Sequence, residues 1–196
     1  MALRIGVFVF EGAEELDWAG PWQVLSFWAR HWPDDGVEVF TFAPEAGAVR
    51  CAEGLTLLPD HTLESAPPFD VLVYPGGSGV GKHLGNDEIR SWLRRLADSG
   101  VLLTSVCTGS LAYADAGLLD GRAATCHWAS LGHLASLGSG IEVRAGQRFV
   151  DTGPVVTAAG VSAGIDMALH LIARLHSVER ARAVKRAIEY EPLPPV

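Results

Sequence analysis

Cys107 is the residue best suited to covalent chemistry in this chain. It closes the apolar stretch Val101 to Val106 and is followed by Thr108-Gly109-Ser110 and a small-residue helix pattern from Leu111 to Ala116. A strand that turns at once into a helix through small residues permits a strained elbow, which aims the side chain outward above the sheet. The amino end of the next helix then favours a thiolate. A buried, inert cysteine in a tight turn carries the same pattern, and the residues alone leave both readings open. Asp17 stands in Glu11-Gly12-Ala13-Glu14-Glu15-Leu16-Asp17, just after the first apolar run. Beside a thiolate its carboxyl meets like charge, which raises its pKa and keeps a proton available to sulfur. The alternative is a helix cap ahead of Gly20-Pro21. Glu14 and Glu15 read as solvated. Gly76-Gly77 and the amide of Thr108 offer unshielded N–H groups for a developing anion, although a double glycine after a strand also makes an ordinary turn. His127 is an acid–base or orienting group only if it reaches Cys107, and structural otherwise. Its neighbour Cys126 reads as packed.

These residues need a scaffold that brings distant loops together. Leu3 to Phe10 is a nearly continuous apolar run, the pattern of a strand buried on both faces of a parallel sheet. Pro21 marks a helix start, with Val24, Leu25, Phe27, Trp28 and Trp32 on one face. Val37 to Ala43 resumes the sheet, Val49 to Leu58 reads as an edge hairpin, and Val71 to Tyr74 ends at Pro75-Gly76-Gly77. Asn86 caps a helix that Gly100 ends. Further on, Ala123 to Thr125 and Val155 to Ala158 are expected strands, Trp128 to Leu137 a helix, and Ile141 to Val143 a hairpin with Gln147 to Val150. Ser162 caps a helix to Leu175, and a last helix follows Ser177. The alternation predicts an α/β fold, a doubly wound, mainly parallel sheet between helices, as a single domain over 1–190 with an extended tail at 191–196. In such sheets ligands collect at the carboxyl ends of strands, which selects the residues after Phe10, the Gly76-Gly77 turn, Cys107 and the loop after Ala158.

Composition narrows the chemistry. The 196 residues are 48% hydrophobic and 19% charged, enough apolar material for one large core. A formal charge of −8 repels polyphosphate backbones and anionic lipid, and only Arg174 to Arg186 forms a basic stretch, so neither nucleic acid nor membrane is an expected partner. No apolar stretch reaches the roughly 18 to 20 residues of a membrane span, no signal peptide is visible, and three sparse cysteines without a C-x-x-C pair fit a reducing cytoplasm. There is no Walker loop, G-x-G-x-x-G or H-E-x-x-H, so neither metal nor nucleotide cofactor is expected.

Taken together, Gly12 to Asp17, Pro75-Gly76-Gly77, Val106-Cys107-Thr108-Gly109 and Cys126-His127-Trp128 resemble the DJ-1/PfpI superfamily, of flavodoxin-like fold. Asp17 to Pro21, the Cys-Thr-Gly-Ser elbow, Ala159 to Asp166 and Glu189-Tyr190-Glu191-Pro192 are similar to its isonitrile hydratase branch, with Ala159 where a second glycine is expected. The resemblance implies that Cys107 is the nucleophile, Asp17 its carboxyl partner and Thr108 a further catalytic residue, with the amides of Gly77 and Thr108 as the anion pocket. It implies hydration of an isonitrile to an N-substituted formamide without cofactor, by a homodimer to which Pro21, Trp22 and Trp28 lend an apolar contact. Thr108 stands where peptidase members carry histidine, so peptidase activity is not expected. The alternatives are a glyoxalase or deglycase using His127, and a redox or ligand sensor in which Cys107 is oxidised. The same domain resembles the sensor half of helix-turn-helix regulators, but six residues after Tyr190 are too few for a DNA-binding segment.

Overall fold

The computed structural model describes residues 2–191. Its strands are β1 (Leu3–Phe8), β2 (Val37–Ala43), β3 (Val49–Arg50), β4 (Thr56–Leu57), β5 (His61–Thr62), β6 (Val71–Tyr74), β7 (Leu102–Val106), β8 (Ala123–Ala124), β9 (Glu142–Val143), β10 (Phe149–Asp151) and β11 (Val155–Ala158). Seven of them form the central sheet in the order β10-β11-β7-β6-β1-β2-β5. All neighbours in it are parallel except β10 and β11. Every residue of β6 and β7 is buried, as expected of strands covered on both faces. Two groups of helices supply the cover. In the first, α1 (Glu15–His31) packs on α5 (Ala163–Leu175), which packs on α6 (Val178–Ala187). In the second, α2 (Asp87–Asp98) packs on α3 (Gly109–Asp115), which packs on α4 (Leu131–Leu137). The fold is therefore the expected doubly wound α/β sandwich.

The four strands that carry chemistry, β11, β7, β6 and β1, are consecutive in the sheet. Their carboxyl ends deliver Ala159–Val161, Cys107, Pro75–Gly77 and the residues after Phe8 to one edge, where the parallel-sheet rule places a ligand.

Several local expectations hold. The Asn86 side chain accepts from the Glu88 and Ile89 amides at 2.9 and 3.2 Å and caps α2. Ser177 caps α6 through the Arg180 amide, and β3 pairs antiparallel with β4 as a hairpin.

Others are corrected. β1 ends at Phe8, two residues early. α1 begins at Glu15 and runs through Pro21, which lies inside the helix rather than at its start. Glu14 is the residue at the cap position, so Asp17 sits within the first turn and its helix-cap reading is excluded. Pro21 and Trp28, expected on a contact surface, are buried in the core, whereas Trp22 and Leu16 remain exposed. The hairpin of 141–143 with 147–150 does not form. Instead β9 pairs in parallel with β8, and β10 folds back on β11. The tight turn that decides this is Asp151-Thr152-Gly153-Pro154, where Asp151 accepts from the Gly153 amide at 2.8 Å. Ser162 does not cap α5, because its hydroxyl receives Arg148 at 3.1 Å instead. In the basic stretch, Arg174 is paired with Asp151 and Arg180 with Asp35. Of the expected tail, Glu191 belongs to no helix or strand and 192–196 lie outside the described residues. No helix of the described residues is long and apolar enough to cross a membrane.

Candidate active site

Cys107 has φ = 58°, a left-handed conformation that costs a residue with a side chain on the order of 1 kcal/mol or more. Two hydrogen bonds hold it there, from the Cys107 amide to the carbonyls of Ala158 (3.2 Å) and Ala159 (2.9 Å). The elbow also needs Gly109. A Cβ at that position would stand 2.5 Å from the Tyr74 carbonyl oxygen, so only glycine lets α3 start this close to the end of β6. The small residues after Cys107 are thus a packing requirement.

Asp17 is fully buried. Its Oδ2 accepts from the Gly76 amide at 2.9 Å, while its Oδ1 is buried with no hydrogen-bond partner among the described residues. Burial therefore dominates its protonation and pushes the carboxyl up to about 7. The Gly76 amide opposes this, and the negative charge of Glu14 adds to it. Lesser lowering comes from the Cys107 thiol and the Val161 amide. Glu14 is half-buried rather than solvated, and its own carboxyl is raised by burial and by Glu15.

The thiol departs from expectation. Burial, and next the charge of Asp17, push Cys107 up to about 12, against the lowering effect of the Thr108 and Val161 amides. At 7% exposure the loss of solvation outweighs the helix terminus, so the resting sulfur is a thiol and not a thiolate. Cys126 and Cys51, at 1% and 4% exposure, are packed, and burial raises both.

Thr108 places its Oγ1 3.0 Å from the Gly77 amide, which donates to it. The Gly77 N–H therefore holds the threonine hydroxyl, and the amides that lower the thiol are those of Thr108 and Val161. Gly77 itself has φ = 116°, and a Cβ there would lie 2.3 Å from the Gly12 carbonyl oxygen, so the double glycine is a contact point between two loops as well as a turn. Val161 lies in the loop after Ala158, one of the four places the sequence selects, but nothing in the residues singles it out there. It has φ = 46°, which a β-branched residue rarely adopts.

His127 lies against Gly160, where an added Cβ would meet its ring at 2.5 Å. Its Nδ1 accepts from the Ala129 amide at 3.3 Å, and no hydrogen bond joins it to Cys107 among the described residues. A cavity of about 390 Å³ opens beside it, lined in part by Trp128, Leu131, Arg148, Gly160 and Val161. Ala159, at the position where a glycine was expected, bonds through its amide to the Arg148 carbonyl at 2.9 Å. Among the described residues no group of three or more His, Cys, Asp or Glu side chains is gathered to hold a metal ion.

A doubly wound sheet with a strained cysteine elbow, facing a buried carboxyl from the first turn of α1, defines the class of cysteine-elbow α/β proteins. Residues 3–174 match the family model described as DJ-1/PfpI family, and this chain belongs to that family. It is 40% identical over 195 residues to the isonitrile hydratase of Pseudomonas putida, an alignment that covers 100% of this chain and 82% of that protein. It is 32% identical over 151 residues to the HTH-type transcriptional regulator GbdR of Pseudomonas aeruginosa, covering 77% of this chain and 41% of the regulator. Among solved structures, a THiJ/PfpI family protein from Pseudomonas syringae superposes with a TM-score of 0.87 at 29% identity, covering 100% of this chain and 78% of that one.

Proposed function

We propose that this protein is a cysteine-dependent hydratase that adds water to an isonitrile, R–NC, to give an N-substituted formamide. The observation that carries the reading is the buried pair itself: a carboxyl titrating at about 7 set against a thiol held at a strained elbow. Similarity along the whole of this chain to 82% of an isonitrile hydratase supports it.

A thiol raised to about 12 needs a base at the moment of attack. Asp17, poised near neutral pH, takes the thiol proton as sulfur bonds to the terminal isonitrile carbon. That carbon then accepts the proton back from Asp17, giving the thioimidate R–N=CH–S–Cys107. Water next adds to the thioimidate carbon: Asp17 takes one of its protons and passes it to the nitrogen, giving R–NH–CH(OH)–S–Cys107. The C–S bond then breaks as the hydroxyl becomes the carbonyl, its proton returns to the sulfur through Asp17, and R–NH–CHO departs, so the net change is addition of water to R–NC. Thr108, whose oxygen accepts from Gly77, keeps its own proton free to donate to the attacking water or to the substrate nitrogen. The Val161 and Thr108 amides stabilise the sulfur when it carries negative charge, as it does on attack and on departure.

Purified protein incubated with isonitriles should release formamides. Cys107→Ala should abolish the reaction. Asp17→Asn keeps the size but cannot exchange protons, so turnover should fall by about two to four orders of magnitude. Turnover of an isonitrile that survives Asp17→Asn unimpaired would refute the acid–base assignment. Methylglyoxal, run in parallel, identifies a glyoxalase if it is the compound consumed.

A further inference from the structure

The hydratase reading leaves the group R undefined, and the inference drawn here rests on that reading. The cavity of about 390 Å³ is joined to the elbow by the loop after β11: the Ala159 carbonyl accepts the Cys107 amide at 2.9 Å, and Ala159, Gly160 and Val161 all line the cavity. We propose that this cavity is the subsite for the substrate's substituent, that it takes a neutral, largely apolar group, and that Trp128 is its specificity-determining wall.

Three observations support the assignment. The first is size. An apolar cavity of roughly 150 Å³ takes a benzene ring, so this one accepts a ring or branched chain and is underfilled by methyl. The second is that the one permanent cation in its lining, Arg148, already has a partner, while the uncommitted polar groups there, the Gln147 amide and the second ring nitrogen of His127, are donors or acceptors without a fixed charge. Arg148 is paired with Asp166 at 2.6 Å and also donates to the Ser162 hydroxyl, so its charge is matched. His127 accepts the Ala129 amide on Nδ1, and the Thr125 amide donates to Thr157 Oγ1 at 2.9 Å. An anionic substituent would meet no unmatched cation here, and Glu14, close enough to act on both Asp17 and His127, would repel it. The third is Trp128. Its indole is 78% exposed at the cavity rim, whereas Trp28 is fully buried in the core. An indole in that place closes over an apolar substituent and is shielded from water by it.

The test is a series of methyl, n-butyl, benzyl and carboxypropyl isonitriles with wild type, Trp128→Ala and Trp128→Phe. For the wild type, kcat/KM should rise about fourfold per buried methylene, the equivalent of about 0.8 kcal/mol. The carboxypropyl compound should be at least tenfold poorer than n-butyl. Trp128→Ala should lower kcat/KM by about tenfold or more for benzyl, chiefly through KM, and by progressively less as the substituent shrinks. Trp128→Phe should restore most of it. An equal loss for every substituent, or a carboxypropyl compound as good as n-butyl, overturns the proposal. Calorimetry with the product-like N-benzylformamide and N-methylformamide separates this idea from the hydratase reading. If no isonitrile is turned over, the hydratase reading fails alone. N-benzylformamide that binds no better than N-methylformamide, or equally well to Trp128→Ala, overturns the subsite.

Discussion

Replacing Asp17 with asparagine should make the protein more stable above neutral pH while removing its proposed acid–base group. The folded carboxyl titrates at about 7 against an ordinary value of 3.8 in the unfolded chain. Below 3.8 both states are protonated and the shift has no effect. Between the two values the unfolded chain has released a proton that the folded chain keeps, so stability falls as pH rises, by about 1.4 kcal/mol per pH unit. Above about 7 both states are ionised and the loss is complete, at a ceiling of about 4 kcal/mol. The substituted asparagine would carry no such loss, and its amide oxygen can still accept from Gly76. Urea denaturation of both proteins from about pH 4 to 8 should therefore show the difference grow from near zero at the acid end to about 2–4 kcal/mol in favour of the variant at the other. In thermal melts that corresponds to roughly 5–15 °C at about pH 8 for a chain of this size. A difference that is flat across this range would refute the claim that burial holds a proton on Asp17.

The same variant should uncover a second titration. His83, whose Nδ1 is hydrogen-bonded to the buried Tyr74 hydroxyl, is lowered to about 4 by burial and by Lys82, so stability is lost as pH falls from 6.5 towards 4. This slope opposes that of Asp17, and Asp17→Asn should lose stability in acid where the wild type changes less. For the thiol, iodoacetamide mapped by mass spectrometry should modify Cys107 before Cys126 through access and not through thiolate fraction, since Cys107 is 7% exposed against 1% although its thiol is raised the further. Its rate should rise about tenfold per pH unit from about 7 to 10. Asp17→Asn should react faster at each of these pH values, because the charge of Asp17 is the second cause raising the thiol. A plateau below about pH 8 would contradict the burial argument. Light scattering at micromolar concentration should give about twice 20.8 kDa, through the exposed Leu16 and Trp22 and their neighbours Ile165 and Tyr190, whereas a strict monomer would rule out this assembly.

The sheet and the elbow were legible because their signals are local. A buried strand needs an unbroken apolar run, as in Val71 to Tyr74, and a strand-to-helix elbow needs small residues, as in Cys107-Thr108-Gly109. Asn86 could be read as a cap because capping depends on one side chain and the next few amides. What failed depended on distant partners. Pro21 resembles a helix start, but the turn that buries Asp17 precedes it, and that burial comes from packing across the sheet edge. The direction of the Cys107 shift follows from depth below the surface, which no run of neighbours encodes. Val161, in the loop between β11 and α5, takes a φ against the preference of its own side chain, which its residue type could not announce.

The contacts at Gly77 and Gly109 bring main chain against main chain, with the carbonyls of Gly12 and Tyr74 in the places where side chains would stand. The loops that end β1, β6 and β7 therefore behave as a single casting, and none can be reshaped without moving the other two. For an engineer this divides the molecule. Libraries that vary Gly12, Gly77 or Gly109 should yield mostly unfolded protein, whereas Trp128 and Leu131, which line the cavity, can be varied without touching that junction. New substrates are to be sought by changing the wall and leaving the casting as it is.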